Sequence, residues 1–157
     1  MKFNPKNKTS NVVLLISAFV IVSLILWNTN IFFKKFKEAE RQKMEIWATA
    51  HTALLQAPLD EDPGDLPLKV FQNNTSTPMI LVNKDGSVKT NNIPKEKAVD
   101  SIYIKDRIVK FKGENIPIEI DQQGEHLGTL YYGNSAVFNK LKYYPIALLL
   151  IILLFGA

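Results

Sequence analysis

The chain contains no cysteine, and only two histidines occur among its 157 residues. The first absence excludes disulfides and thiolate metal sites, while leaving the compartment open. The second confines imidazole chemistry to His51 and His126. Neither has a second ligand at metal spacing, so each reads as a satisfied or exposed histidine. Glycine is sparse, with seven in all, and no glycine-rich phosphate loop or serine nucleophile motif is present. A basic face is missing too. Residues 58–134 carry 9 basic against 12 acidic side chains, so the net +4 of the whole chain comes from lysines flanking its apolar ends. Nucleic-acid binding needs clustered positive charge on a folded surface, which argues against it here. The basic ends suit lipid headgroups instead. On these residues the chain is not an enzyme, and it calls for no cofactor of its own.

What is plentiful is apolar sequence at the two ends. Val12 to Trp27 is apolar except for Ser17 and Ser23, and Ile31, Phe32 and Phe33 extend it past Asn28-Thr29-Asn30. The stretch 11–33 is long enough for a transmembrane helix, with Trp27 as an interfacial anchor. A small-x-small cleavage site is absent just beyond it, which favours an uncleaved anchor over a signal peptide. Residues 1–10 form its polar flank. At the other end every residue from Ile146 to Phe155 is apolar. That run is shorter than the roughly 20 residues of a full crossing, so 135–157 reads as a helix entering a second, truncated transmembrane segment. Tyr143-Tyr144 stands where an interfacial belt would stand. Orientation is left undecided by charge, because Lys34, Lys35, Lys37, Arg41 and Lys43 follow the first span while three lysines precede it.

Between the ends the periodicity changes twice. Residues 34–57 hold no glycine and are rich in helix formers, so a juxtamembrane helix is predicted, ended by Pro58. Phe36, Met44, Trp47, Ala50 or His51, and Leu54 share one face, which would pack on its own domain or pair with a second copy. Residues 58–67 form an acidic loop whose spacing does not fit an EF-hand calcium loop. Pro78 to Val82 and Ser87 to Thr90 flank Asp85-Gly86, a hairpin signal. Ile116 to Ile120 and His126 to Tyr132 flank Gly124 in the same way. Lys97 to Lys112 has helical spacing. The fold class is therefore α+β: a four-stranded antiparallel sheet over 58–134, looped out between two transmembrane helices. Acids such as Glu114, Glu119, Asp121 and Glu125 flank turns and read as solvated. A sheet crossed by a helix can enclose a small ligand, and Tyr103, Tyr131 and Tyr132 with Asn91 or Asn92 are the candidate contacts. The bland alternative is that the tyrosines fill the core edge and an asparagine caps a turn.

Several local strings, taken in order, give a resemblance. These are Thr77-Pro78-Met79-Ile80-Leu81-Val82 with Asp85-Gly86, then Asn92-Ile93-Pro94, Asn115-Ile116-Pro117-Ile118, and Tyr131-Tyr132-Gly133-Asn134-Ser135 leading to Leu141 and Pro145. In this order the chain resembles the extracytoplasmic sensor region of bacterial two-component sensor histidine kinases, a reduced PAS/Cache-like domain between membrane helices. The resemblance implies a multi-pass inner-membrane protein with a periplasmic central domain, a homodimer, and a response regulator as partner of a cytoplasmic part. ATP and magnesium would belong to that missing part, so no catalytic residue is carried over. A second possibility, from a different class, is a non-enzymatic two-span membrane adaptor whose domain docks a partner.

Overall fold

The computed structural model describes residues 8–56 and 64–156. Its longest element, α1, runs unbroken from Lys8 to Gln56. The polar triplet Asn28-Thr29-Asn30 does not break it. Thr29 Oγ1 donates to the Ile25 carbonyl one turn back at 2.8 Å, so its hydroxyl is satisfied within the helix. Ile16–Leu55 includes a window long and apolar enough to cross a membrane, and none of that window is buried in protein. Phe19, Leu24 and Trp27 all stand exposed there, an apolar surface of the kind that lipid covers. The chain divides into two compact units, Met1–Lys37 with Leu141–Ala157 and Glu38–Lys140. In the first, Phe32 lies edge-on to Phe33 with centroids 5.8 Å apart. Its other helix, α6 (Tyr144–Gly156), has 13 residues. At 1.5 Å per residue that is about 20 Å, short of the roughly 30 Å hydrocarbon core, so one helix alone among the described residues has the length of a span.

The second unit holds the last turns of α1, then α2 (Asp65–Asn73), β1 (Met79–Asn83), β2 (Val88–Asn91), α3 (Lys95–Ala98), α4 (Ser101–Glu114), β3 (Ile118–Gln122) and β4 (Glu125–Tyr132). α5 (Ala136–Leu141) follows, started by Ser135, whose hydroxyl oxygen accepts from the Phe138 N–H at 3.2 Å. The sheet is antiparallel with order β2-β1-β4-β3, as the two hairpin signals predict. Gly86 takes φ 81° in the first turn, and Gln123 and Gly124 take 49° and 84° in the second. Consecutive positive angles make the second a two-residue turn whose twist suits a hairpin. β1 and β4 close the centre, with Met79 opposite Tyr132 and Leu81 opposite Leu130.

Strand alternation assigns the two faces. Met79, Leu81, Ile118, Ile120, Leu130 and Tyr132 form one core with Met44, Trp47 and Ala48 of α1, and Val70 and Phe71 of α2 pack at its edge. On the other face Ile80 meets Ile104 and Phe111 of α4, flanked by Tyr103, Ile108 and Tyr131. The sheet is thus sandwiched between helices. The buried stripe on α1 is Met44, Trp47, Ala48 and His51. Of the two residues offered at one position of that stripe, His51 is the one turned inward. α1 therefore packs on its own domain through this face.

Two expectations need correction. The helix predicted over 97–112 is two helices: α3 ends at Ala98 with Val99 as its C-cap, and Asp100 starts α4. Its carboxylate accepts from the N–H groups of Ile102 and Tyr103 at 2.9 and 3.2 Å, an N-cap. The acidic loop predicted over 58–67 lies outside the described residues as far as 63, but from Asp65 the chain is helical. Pro67 sits in the first turn of α2, where its missing N–H leaves no bond unmade. A proline that looks like a loop marker is there part of a helix start.

Candidate functional site

Period two separates the five residues marked by the sequence. Tyr131 and Tyr132 are neighbours on β4 and so face opposite ways. Tyr132 is buried on the α1 side, and burial pushes its phenol above the ordinary value, with Arg41 opposing and Glu45 and Glu40 reinforcing that rise. Arg41 is itself tied to Glu45 at 2.8 Å and donates to the Ile116 carbonyl at 3.3 Å. Asn91 is on the same side, opposite Met79, and its side-chain carbonyl accepts from Asn74 Nδ2 at 3.2 Å. Tyr131 lies on the α4 side with the Lys112 ammonium 5.2 Å from its ring.

Asn92 and Tyr103 are the two that line one cavity, of about 190 Å³, with Arg107, Glu114, Asn134 and Asn139. Asn92 is held at φ 56°, a left-handed conformation that asparagine tolerates. Its amide donates to the carbonyls of Asn74 and Thr77 at 2.7 and 3.0 Å. Those bonds tie the end of β2 to a buried polar knot, in which Asn74 Nδ2 also donates to the Thr77 carbonyl and the Thr77 hydroxyl donates to Glu40 at 3.3 Å. Here Asn92 acts as a structural clamp. Tyr103 carries the Arg107 guanidinium over its ring at 4.8 Å. Arg107 Nε is buried without a hydrogen-bond partner among the described residues, the Asp106 carboxylate being 3.9 Å away.

Glu114 corrects the expectation of a solvated acid. Its carboxylate accepts from the Asn134 N–H at 2.8 Å, and Lys110 Nζ is 3.8 Å off. Gly133 permits this approach, since a Cβ there would run into the Phe111 ring and stand 3.1 Å from Glu114 Oε2. The cavity thus offers one arginine, one lysine, a committed carboxylate and three amides. That set suits a small polar ligand, and no nucleophile and base meet among its described lining residues. Sequence reasoning passed over Arg107 and did not assign Glu114 to the cavity. The available signal was their helical spacing from Tyr103, which puts 103, 107 and 114 on one side of α4.

The two histidines differ. His126 is exposed, with Nδ1 2.8 Å from Asp121 and Nε2 3.5 Å from Glu119, as a satisfied histidine should be. His51 departs from that expectation. It is 5% exposed, stacked on Trp47 with ring centroids 5.4 Å apart, and its Nε2 has no hydrogen-bond partner among the described residues. Burial, and then the nearby Lys89 charge, lower its pKa. Nothing in the local sequence distinguishes the two; their difference is tertiary.

No protein-family model, no curated protein and no solved structure matches this chain.

Proposed function

We propose that the chain is the membrane signal-input module of a sensor histidine kinase, with the second unit outside the cytoplasm and the catalytic part encoded downstream of Ala157. The observation that carries this reading is α1. One uninterrupted helix supplies the membrane-length apolar stretch and, further along, the stripe Met44, Trp47, Ala48 and His51 in the core of the folded unit. A change in how the sheet packs on that stripe would act on the same helix that supplies the apolar stretch. The order of the local strings and the α+β sheet support it. The reading includes a second span containing α6, a homodimer, and a response regulator as eventual partner. A switch of this kind needs only a few kcal/mol of differential binding between two states.

The adaptor reading draws on a different observation. Val99 and Ile102 are 85% and 82% exposed on the outer side of α3 and α4, and Val109 is exposed as well. Apolar side chains gathered on a polar domain suit a docked partner. The coding sequence after Ala157 separates the two readings. A long open frame with a histidine-bearing amphipathic helix and glycine-rich ATP-binding boxes supports the sensor. A stop within about 20 codons, enough only to finish a span, discards it.

A further inference from the structure

A larger cleft lies on the α1 side of the sheet. It has a volume of about 690 Å³ and runs between the last turns of α1 and the β1–β2 turn, with His51, Leu55, Lys89 and Leu127 among its lining residues. Of the charged side chains that line it with Lys89, Asp85 is hydrogen-bonded to Ser87 and Lys84 is paired outside the lining set. Hydrogen bonding from the Ser87 side chain, and then from the Ser87 N–H at 2.8 Å, holds the Asp85 pKa below the ordinary value. Glu125 pairs with Lys84, which keeps Glu125 ionised to lower pH. Lys89 is left in no ion pair among the described residues, although its field reaches His51 and Asp85. The register fixes where Lys89 points: it is opposite Leu81, a residue of the α1-side core, so it shares that face with His51. Buried polar atoms are normally satisfied, and His51, 5% exposed with an Nε2 that has no hydrogen-bond partner among the described residues, lines the same cleft as the Lys89 ammonium and asks for an acceptor.

We propose that this cleft binds a small amphipathic monocarboxylate. The carboxylate would lie between the Lys89 ammonium and His51 Nε2–H, with its hydrocarbon part against Leu55 and Leu127. The Lys89 ammonium, in no ion pair among the described residues, can contact one carboxylate, and the leucines favour an alkyl or aryl acid over a fully hydrated anion. The bound charge would also cancel the Lys89 repulsion at His51, so ligand and imidazole would support each other. Because His51 stacks on Trp47 and belongs to the buried stripe of α1, occupancy would be registered on that helix. The site stands on its own geometry whether or not the chain is a kinase sensor.

The test uses the full chain in lipid nanodiscs, with butyrate as probe and the His51 ring ¹H–¹⁵N resonances as readout. Butyrate should shift those resonances saturably, with a Kd on the order of millimolar for so small a ligand. Lys89→Met should weaken binding about tenfold or more, as loss of a charge-assisted contact does. His51→Phe, read through Trp47 fluorescence, should weaken it as well, while Lys112→Met on the other face should leave it unchanged. No saturable shift, equal binding by Lys89→Met, or equal binding of butylamine or inorganic phosphate would each overturn the proposal. Lys89 is exposed on an edge strand, so its replacement leaves the core intact; matching circular dichroism spectra check this.

Discussion

The two faces of the sheet are covered by helices of similar type but are built to different standards. The α1 face buries nine apolar residues as one cluster and adds a closed polar knot around Asn74 and Thr77. The α4 face buries three, Ile80, Ile104 and Phe111, and borders them with half-buried side chains and a polar cavity. Burial of apolar surface dominates folding free energy, so the α1 face should hold the unit together while the α4 face can rearrange at lower cost. The helix on the firmer face is also the one that continues as the apolar stretch.

The largest expected effect tests that ranking directly. Leu130→Ala, at the centre of the α1-side core, should cost about 3–5 kcal/mol, and Ile104→Ala on the other face about 2–3 kcal/mol, because a thinner core relaxes around the gap more easily. Urea unfolding of the full chain in detergent, followed by Trp47 emission in a Trp27→Phe background, measures both. Equal costs would break the comparison.

Next come the two glycines whose missing side chains allow close approach. A Cβ at Gly128 would stand 2.6 Å from the Val82 carbonyl oxygen, whereas at Gly133 it would meet the Phe111 ring. A strand backbone in a central pair cannot move aside, but a ring beside a cavity can turn. Gly128→Ala should therefore cost about 3 kcal/mol and Gly133→Ala about 1 kcal/mol, the two ends of the usual overpacking range. The same unfolding assay reads them, and the reverse order would mean that the α4 face is the less yielding one.

How much of this was legible beforehand depends on how local the cause is. Asp85-Gly86 and Gly124 announce their hairpins because a positive φ is a demand made by one or two residues. The helix predicted over 34–57 is readable from its helix-forming composition. Tyr131 and Tyr132, named together as candidate contacts, stand on opposite faces of β4 because the pleat separates neighbours. Pro67 was misread as a loop because the same residue serves turns and first helical turns. The burial of His51 and the pairing of Glu114 with the Asn134 N–H join residues 20 or more apart, or on different elements. No window of sequence contains those facts. The candidate cavity was accordingly only partly foreseen, through Asn92 and Tyr103.

The smallest effect separates the faces by pH. His51 is the histidine buried among the described residues, and it lies on the α1 side. Its pKa in the folded chain is below the ordinary 6.5, chiefly through burial. The unfolded chain therefore takes up a proton first as pH falls, and the contribution of His51 is fully present above about 6.5 and lost as pH drops through the folded value. Asp85 and Glu125 also have lowered pKa values, but from ordinary values of 3.8 and 4.5, so their losses fall in a more acid window. Stability measured between pH 7 and pH 5 should decline gently in the native chain. In His51→Phe, which keeps the ring against Trp47 but cannot titrate, that decline should flatten. If the slope survives the substitution, the mildly acid sensitivity belongs to another group, and the α1 face is not the pH-responsive side of the sheet.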